Sequence, residues 1–470
     1  MTPAAGIAVA SDRRSALWIA SLAAFITPFL GSSLNIALPG IGHEFNLTAV
    51  ELTWIPTAYL LANVIFLVPF GRLADITGRK RIFRAGIVID VIACIIATMT
   101  PSGRFFIILR AFQGLGGAMI FSTGLAILTS VYPAEARGKA LGINVASVYS
   151  GLSLGPVVGG FLTHTFGWRS IFVANILMGL VIIYLVTVKL HGEWAEAEGE
   201  PFDWRGNLMY SAAFIMFMIG LSAAGSSWHY LLLIGGIALM VVFAVRELRI
   251  DHPILDLRLF RSTAFALSNL AALINYCATA AVGFLLSLYL QDIKLLDSRQ
   301  AGLVLLAQPV VMALLSPYAG RLSDRIEPRI VASIGMGFTT LGLAIFCFLS
   351  NSTPLGLVIT GLVVLGIGFG FFSSPNTNAI MSSVEKRFYG TASGLVGTAR
   401  LTGQLLSMGV ATLLFSHYLG GRSIEASTYP MFLAAVRTIF ILFACLCFAG
   451  IFASMARGRV RERYPHAPRG

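Results

Sequence analysis

The sequence predicts an all-α polytopic membrane protein of fourteen transmembrane helices, built as two six-helix bundles with two further helices inserted between them. Three observations predict it. Of 470 residues, 57% are hydrophobic and 11% charged, against roughly 25% charged in a typical soluble protein, and the mean hydropathy is +0.82. A fold surrounded by water could not hide that much apolar surface, so lipid must be the solvent. The apolar residues also fall in runs of about 20, the length that crosses a bilayer as a helix. Finally, the charged segment Gly71-Arg72-Leu73-Ala74-Asp75-Ile76-Thr77-Gly78-Arg79-Lys80-Arg81 returns in weaker form as Gly320-Arg321-Leu322-Ser323-Asp324-Arg325, each with a proline just upstream, Pro69 and Pro317. A charged loop repeated at one topological place marks two related halves, the usual build of a secondary transporter.

Taken in order, a tail (1–15) leads into the first bundle, 16–189. The run 16–38 follows Arg13 and Arg14 and is too long for the apolar core of a cleavable signal, which is about 7–15 residues; it is the first span. The run 52–71 ends in the charged segment, 82–100 carries Asp90 near its middle, and 105–130 carries Arg110 and Gln113. The runs 140–163 and 170–189 complete the bundle. An acidic linker, 190–205, with Glu193, Glu196, Glu198, Glu200 and Asp203, reads as a solvated spacer. The inserted pair, 206–225 and 228–247, is joined by a very short turn, and a second linker covers 248–262. The second bundle, 263–455, contains 263–290, 300–320, 330–350, 354–380, 389–416 and 431–455, and a basic tail, 456–470, reads as a membrane-surface anchor.

Lysine and arginine test this map. Alternate loops hold 25 of them on one side and five on the other, with Arg110, Arg400 and Arg437 inside spans. A wrong span count would scramble that asymmetry. The positive-inside rule then places both termini in the cytoplasm of a cell (inner or plasma) membrane protein. The net charge of +12 lies in short loops and tails, which argues against a nucleic-acid partner. The cysteines, Cys94, Cys277, Cys347, Cys445 and Cys447, all fall in apolar runs and read as small apolar filler, neither a zinc site nor a disulfide framework.

Motifs sharpen the reading. Residues Gly71 to Arg81 resemble the signature between the second and third helices of the major facilitator superfamily. Arg110-Ala111-Phe112-Gln113-Gly114-Leu115-Gly116-Gly117-Ala118 is similar to its second motif, and Gly151-Leu152-Ser153-Leu154-Gly155-Pro156-Val157-Val158-Gly159-Gly160 resembles the motif associated with antiporters. Together with Asn35-Ile36-Ala37-Leu38-Pro39 and Leu288-Tyr289-Leu290-Gln291, they narrow the likeness to the fourteen-span drug/proton antiporters. It covers almost the whole chain. One departure stands out: where that family usually carries an acid in the first span, this chain has Leu30. With two buried arginines against one buried acid, the cavity is expected to be neutral to positive and suited to neutral or anionic amphiphiles.

The physics of each motif yields candidate residues. In the charged loop, Gly71 and Gly78 allow close approach and unusual dihedrals, and Asp75 near a helix start suits the positive end of the macrodipole. Arg72, Arg79 and Lys80 can bridge to carbonyl ends or acids of a neighbour, making a conformational switch. Gly151, Gly155 and Gly159 form a small-xxx-small packing face; with Pro156, which removes a backbone hydrogen bond, and Gly160, they read as an antiporter-type hinge. Ionisable groups inside the bilayer are costly and functional by default. Arginine cannot exchange its proton, whereas a carboxylate in an apolar setting can change protonation state, so Asp90, with Arg110, is the candidate for proton coupling. Cavity candidates are Asn35, Tyr59, Asn63, Gln113, Asn376, Asn378, Arg400 and Gln404.

The function expected is therefore secondary active export of small organic or amphiphilic compounds, driven by protons through alternating access and carried out by a monomer in the lipid bilayer. No Gly-rich phosphate loop points to ATP. None of the seven histidines sits mid-span, so no enzyme, cofactor or metal is expected. Other readings are a facilitator or importer of an organic anion or metabolite, which suits Arg110 and Arg400, and a non-transporting ligand sensor.

Overall fold

The computed structural model describes residues 3–222, 227–250, 253–385 and 389–458, and among them every regular element is a helix. Among the described residues, eleven helices are long and apolar enough to cross a membrane. The other three expected spans are helical too, but more polar. Residues Arg79–Thr98 carry Arg79, Lys80, Arg81, Arg84 and Asp90, Trp204–Leu221 begins Trp-Arg-Gly-Asn, and Tyr389–Leu419 contains Arg400 and Gln404 among small residues. Composition alone thus supports eleven spans. Large side chains such as Met99, Leu314, Phe348 and Phe452 stand more than half exposed, as they do where lipid covers the surface.

Contacts divide the chain into two compact units. The first comprises 1–216 with 295–303. It contains α1 (Pro3–Phe45), α2 (Ala49–Thr77), α3 (Arg79–Thr98), α4 (Gly103–Val131), α5 (Ala134–Phe166), α6 (Arg169–Lys189) and the start of α7 (Trp204–Leu221). Thr48 and Glu51 form a reciprocal capping box at the start of α2, satisfying two otherwise orphaned amides. Glycines let these helices close up: a Cβ at Gly86 would lie 2.9 Å from the Gly116 carbonyl oxygen, and one at Gly114 only 2.3 Å from that of Tyr59. Phe106, Trp168 and Phe172 pack edge to face at centroid distances of 5.5 to 6.0 Å, beside an ion pair of Arg169 with Glu44.

The second unit comprises 217–294 and 304–470. After α8 (Ser227–Glu247) and a 3-10 turn (Leu257–Arg261) come α9 (Thr263–Thr279) and α10 (Val282–Leu288), the latter running into a π turn (Tyr289–Ile293). Next are α11 (Ser298–Leu305), whose start belongs to the first unit, α12 (Ala307–Arg325), α13 (Pro328–Phe346), α14 (Leu355–Ser382), α15 (Tyr389–Leu419) and α16 (Tyr429–Ala456). Gly335 and Gly368 bring α13 and α14 into backbone contact, a Cβ on either lying 2.7 or 2.8 Å from the other's carbonyl oxygen.

Candidate functional site

The charged segment is helix nearly throughout. α2 continues to Thr77 and α3 begins at Arg79, so Gly78 alone interrupts the two helices. Its φ of +118° lies where glycine is favoured, and a Cβ there would fall 2.5 Å from Cδ of Glu193. The expectation that Gly71 also supplies an unusual dihedral is corrected: it sits inside α2, and a Cβ would meet Ser122 at an ordinary 3.6 Å. The weaker copy, Gly320 to Arg325, likewise lies inside α12. A helix carries these charges past the apolar core because nothing in Arg72 to Thr77 breaks it.

The acidic linker is a docked strap, not a solvated spacer. Arg79 holds Glu196 with both terminal nitrogens, at 2.7 and 2.9 Å, while its Nε donates to Asp75 at 2.8 Å and Nη1 to Ser130 at 2.5 Å. Burial works against its charge, but Glu196 and Asp75 more than compensate, and the guanidinium binds its proton more tightly than usual. Arg72 pairs with Glu200, and Lys80 donates through Nζ to the Leu190 carbonyl and through its backbone to Glu193. Main-chain bonds join in, from Arg79 N to Trp194 O and from Ala197 N to Asp75 O, each 2.9 Å. Of these contacts the Arg79–Glu196 pair alone is fork-shaped, a geometry that fixes the register of the strap.

Deeper in the same unit a polar chain links four helices. Tyr59 (α2) lies under Arg110 (α4), whose Cζ stands 4.4 Å from the ring centroid. Nη1 of Arg110 donates to Gln113 Oε1. Gln113 Nε2 donates to the Cys94 sulfur (α3) at 3.0 Å, and Asn175 Nδ2 (α6) donates to the same sulfur at 3.1 Å and to Asp90 Oδ2 at 2.8 Å. Arg110 is 2% exposed, Asp90 8%, and Gln113 and Asn175 fully buried. Asn63 donates to the Tyr59 carbonyl at 3.2 Å. Arg110 Nε and Asn175 Oδ1 are buried with no hydrogen-bond partner. Of the residues picked from sequence, Asp90, Arg110, Gln113, Tyr59 and Asn63 come together here. Cys94, read as apolar filler, is instead the acceptor joining α4 to α6.

The glycines expected to form a hinge pack α5 on α1. A Cβ would meet the Phe25 carbonyl oxygen at 2.3 Å from Gly151, that of Phe29 at 2.9 Å from Gly155 and Ser33 Cβ at 2.5 Å from Gly159. Pro156 and Gly160 face the start of α11, where a Cβ at Gly302 would lie 2.1 Å from the Pro156 carbonyl oxygen and Ser298 donates to Gly160 O.

In the second unit, Arg400 lies 5.3 Å over the Tyr276 ring, which in turn meets Phe369 edge-on at 5.5 Å; Arg400 and Gln404 are half-buried on α15. Asn376 is taken up elsewhere. Its Oδ1 accepts from Arg457 Nη1 at 2.6 Å, and its Nδ2 donates to the Ser268 carbonyl. Arg457, 2% exposed, also donates to Ser268 Oγ and Ser454 Oγ at 3.1 Å. Burial, with Arg329 nearby, lowers its proton affinity to about 10, which leaves it charged at neutral pH. Asn378 Nδ2 donates to Ser323 and Asp324 of the weaker repeat, at 3.2 and 3.3 Å. Asn376 and Asn378, two of the four asparagines expected in the cavity, therefore join neighbouring helices through hydrogen bonds. The residue opening the basic tail is a buried clamp, which corrects its reading as a surface anchor; the rest of that run, from residue 459, lies outside the described residues.

A profile of the Major Facilitator Superfamily matches residues 20–248 and 269–470. The chain belongs to the major facilitator superfamily. Over 447 residues it is 31% identical to the riboflavin transporter RibZ of Clostridioides difficile, covering 93% of this chain and 96% of that protein. It is 29% identical to the multidrug resistance protein Stp of Mycobacterium tuberculosis over 383 residues, 80% of this chain and 71% of the relative. Its fold is similar to a bacterial homologue of the human lysosomal transporter Spinster, with a TM-score of 0.70, 16% identity and coverage of 96% and 98%. A peptide transporter of the POT type gives a TM-score of 0.71 at 15% identity, covering 94% and 95%. This major facilitator protein is a multi-pass membrane transporter of small-molecule substrates.

Three elements of this transporter escaped the sequence reading: Asn175, the strap acids and Arg457. Asn175 had one available signal, a lone carboxamide within an otherwise apolar 170–189 run. Asn35, by contrast, was singled out by the motif it opens; it stands half-buried on α1.

Proposed function

We propose that this transporter exports small organic or amphiphilic compounds by proton-coupled antiport, as a monomer in the cell membrane with both termini cytoplasmic. The observation that carries it is the buried chain from Asp90 to Arg110, in which one acid shares a polar network with an arginine that keeps its charge. Asp90 takes up and releases the coupling proton, and Arg110 senses its charge through Gln113 and Cys94. The segment from Gly71 through Arg72, Asp75, Gly78, Arg79 and Lys80 is the conformational switch, with the strap acids as its counter-ions. Gly151, Gly155, Pro156, Gly159 and Gly160 form the hinge face; in the second unit Arg400 and Gln404, and in the first Asn35, are the residues assigned to substrate contact, each within its own unit. The test is transport in proteoliposomes with an imposed pH gradient, using cationic, neutral and anionic amphiphiles. Gradient-driven flux is expected for wild type and lost in Asp90→Asn. Flux indifferent to both gradient and substitution overturns antiport.

A second reading has its own support. Arg400 against Tyr276, with Phe369 beside it, is suited to a planar heteroaromatic guest, since guanidinium and aromatic faces stack on such rings. Together with the likeness to a riboflavin transporter, this favours carriage of a flavin-like metabolite. Adding riboflavin to the same assay separates the two: saturable riboflavin flux lost in Tyr276→Ala supports it, and no riboflavin flux removes it.

A further inference from the structure

We infer that Asn175 is the positioning residue whose carboxamide oxygen accepts a hydrogen bond from protonated Asp90, forming with it a two-bond acid–amide pair. The inference rests on the proton-coupling reading above. With Asp90 ionised, one bond joins the two side chains, from Asn175 Nδ2 to Asp90 Oδ2 at 2.8 Å. Among the described residues Asn175 is the one hydrogen-bond partner of that carboxyl group. The other end of the same carboxamide is an anomaly, because Asn175 is fully buried yet its Oδ1 accepts no hydrogen bond. Buried acceptors are nearly always satisfied, and one that is not calls for an explanation.

Protonation supplies it. A proton from the aqueous phase joins Asp90 and turns one carboxylate oxygen from acceptor to donor. The new O–H donates to Asn175 Oδ1 while the remaining carboxyl oxygen keeps the bond from Nδ2. Acid and primary amide are complementary in this way, each offering one donor and one acceptor on neighbouring atoms. The charged form of the site thus leaves an acceptor empty, and the neutral form fills it. Among the described residues no other side chain hydrogen-bonds Asp90. The titratable or charged side chains facing Asp90 are Tyr59 from α2, Cys94 from α3 and Arg110 from α4, while α6 contributes only the amide. Of these, Cys94 already accepts from both Gln113 and Asn175. That second bond from Nδ2 holds the carboxamide in register between the two helices.

The experiment is pH-difference infrared spectroscopy of the full-length protein in lipid. A carbonyl band of a protonated carboxyl is expected in wild type and absent in Asp90→Asn. A carboxyl bonded at both oxygens absorbs at lower wavenumber than an unbonded one, so Asn175→Leu should move the band to higher wavenumber. Asn175→Ser, which keeps a hydroxyl, should move it less and serves if the leucine variant does not fold. An Asp90 band that stays put in both Asn175 variants overturns the pairing while leaving proton coupling standing. No Asp90-dependent band at any pH overturns the coupling reading and the pairing together.

Discussion

Arg457 shows how much one side chain can hold. Its guanidinium reaches Asn376, Ser268 and Ser454 and so ties the ends of α9, α14 and α16. Hydrogen bonds to charged groups contribute about 1.5–3 kcal/mol each net of lost solvation, and a buried partner left unsatisfied costs about 1–3 kcal/mol. Arg457→Ala should therefore lower stability by roughly 2–4 kcal/mol, read as an earlier thermal unfolding transition of the purified protein. Arg457→Lys should recover only part of it, because a single ammonium cannot replace a planar fork. At this scale the sequence is legible where a residue type is costly in its setting. Asp90 and Arg110 stand out because charge in an apolar span demands a reason. Arg457 did not, since it opens a run of arginines that looks like an ordinary basic tail. Asn175 did not either, since a lone neutral amide in an apolar span is a far weaker signal than a charge.

Helix contacts carry the second lesson. α5 approaches α1 so closely that a Cβ at Gly155 would fall 2.9 Å from the Phe29 carbonyl oxygen, a backbone atom that cannot swing aside. Overpacking of this kind costs typically about 1–3 kcal/mol. Gly155→Ala should thus destabilise the first unit by that amount and reduce transport, whereas Gly71→Ala, inside α2 with only ordinary contact for its Cβ, should stabilise by up to about 1 kcal/mol, the gain of alanine over glycine within a helix. The comparison separates two glycines that look alike in sequence. Spacing revealed the α5 face because a period of four residues is a property of the helix itself. It could not reveal that α2 runs on to Thr77, because charge density resembles a loop whether or not the backbone stays helical.

On the scale of the whole molecule, eleven spans are apolar enough to be recognised by composition, while α3, α7 and α15 are more polar. α3 and α15 carry Asp90 and Arg400, so part of the polarity that obscures them comes from candidate functional residues. The strap was invisible for another reason: its partners lie more than a hundred positions away, and nothing local distinguishes an acid facing Arg79 from one facing water. Replacing Glu193, Glu196 and Glu200 together by Gln should release it. Its salt bridges are partly exposed, each contributing only about 0–1 kcal/mol, so the expected change is local. The amides of Arg79 and Ala197, bonded across to Trp194 and Asp75, should exchange hydrogen faster, with little change elsewhere; unchanged exchange there would refute the strap. The docked strap also fixes where the chain can be divided. By hydropathy the natural cut follows Lys189, at the end of the last apolar run of the first half. A fragment ending there would expose Arg72, Arg79 and Lys80 without their acids, whereas one ending after Asp203 carries its own counter-ions. A split of the chain should therefore be drawn beyond the linker and not at Lys189, and the first compact unit itself runs on to residue 216.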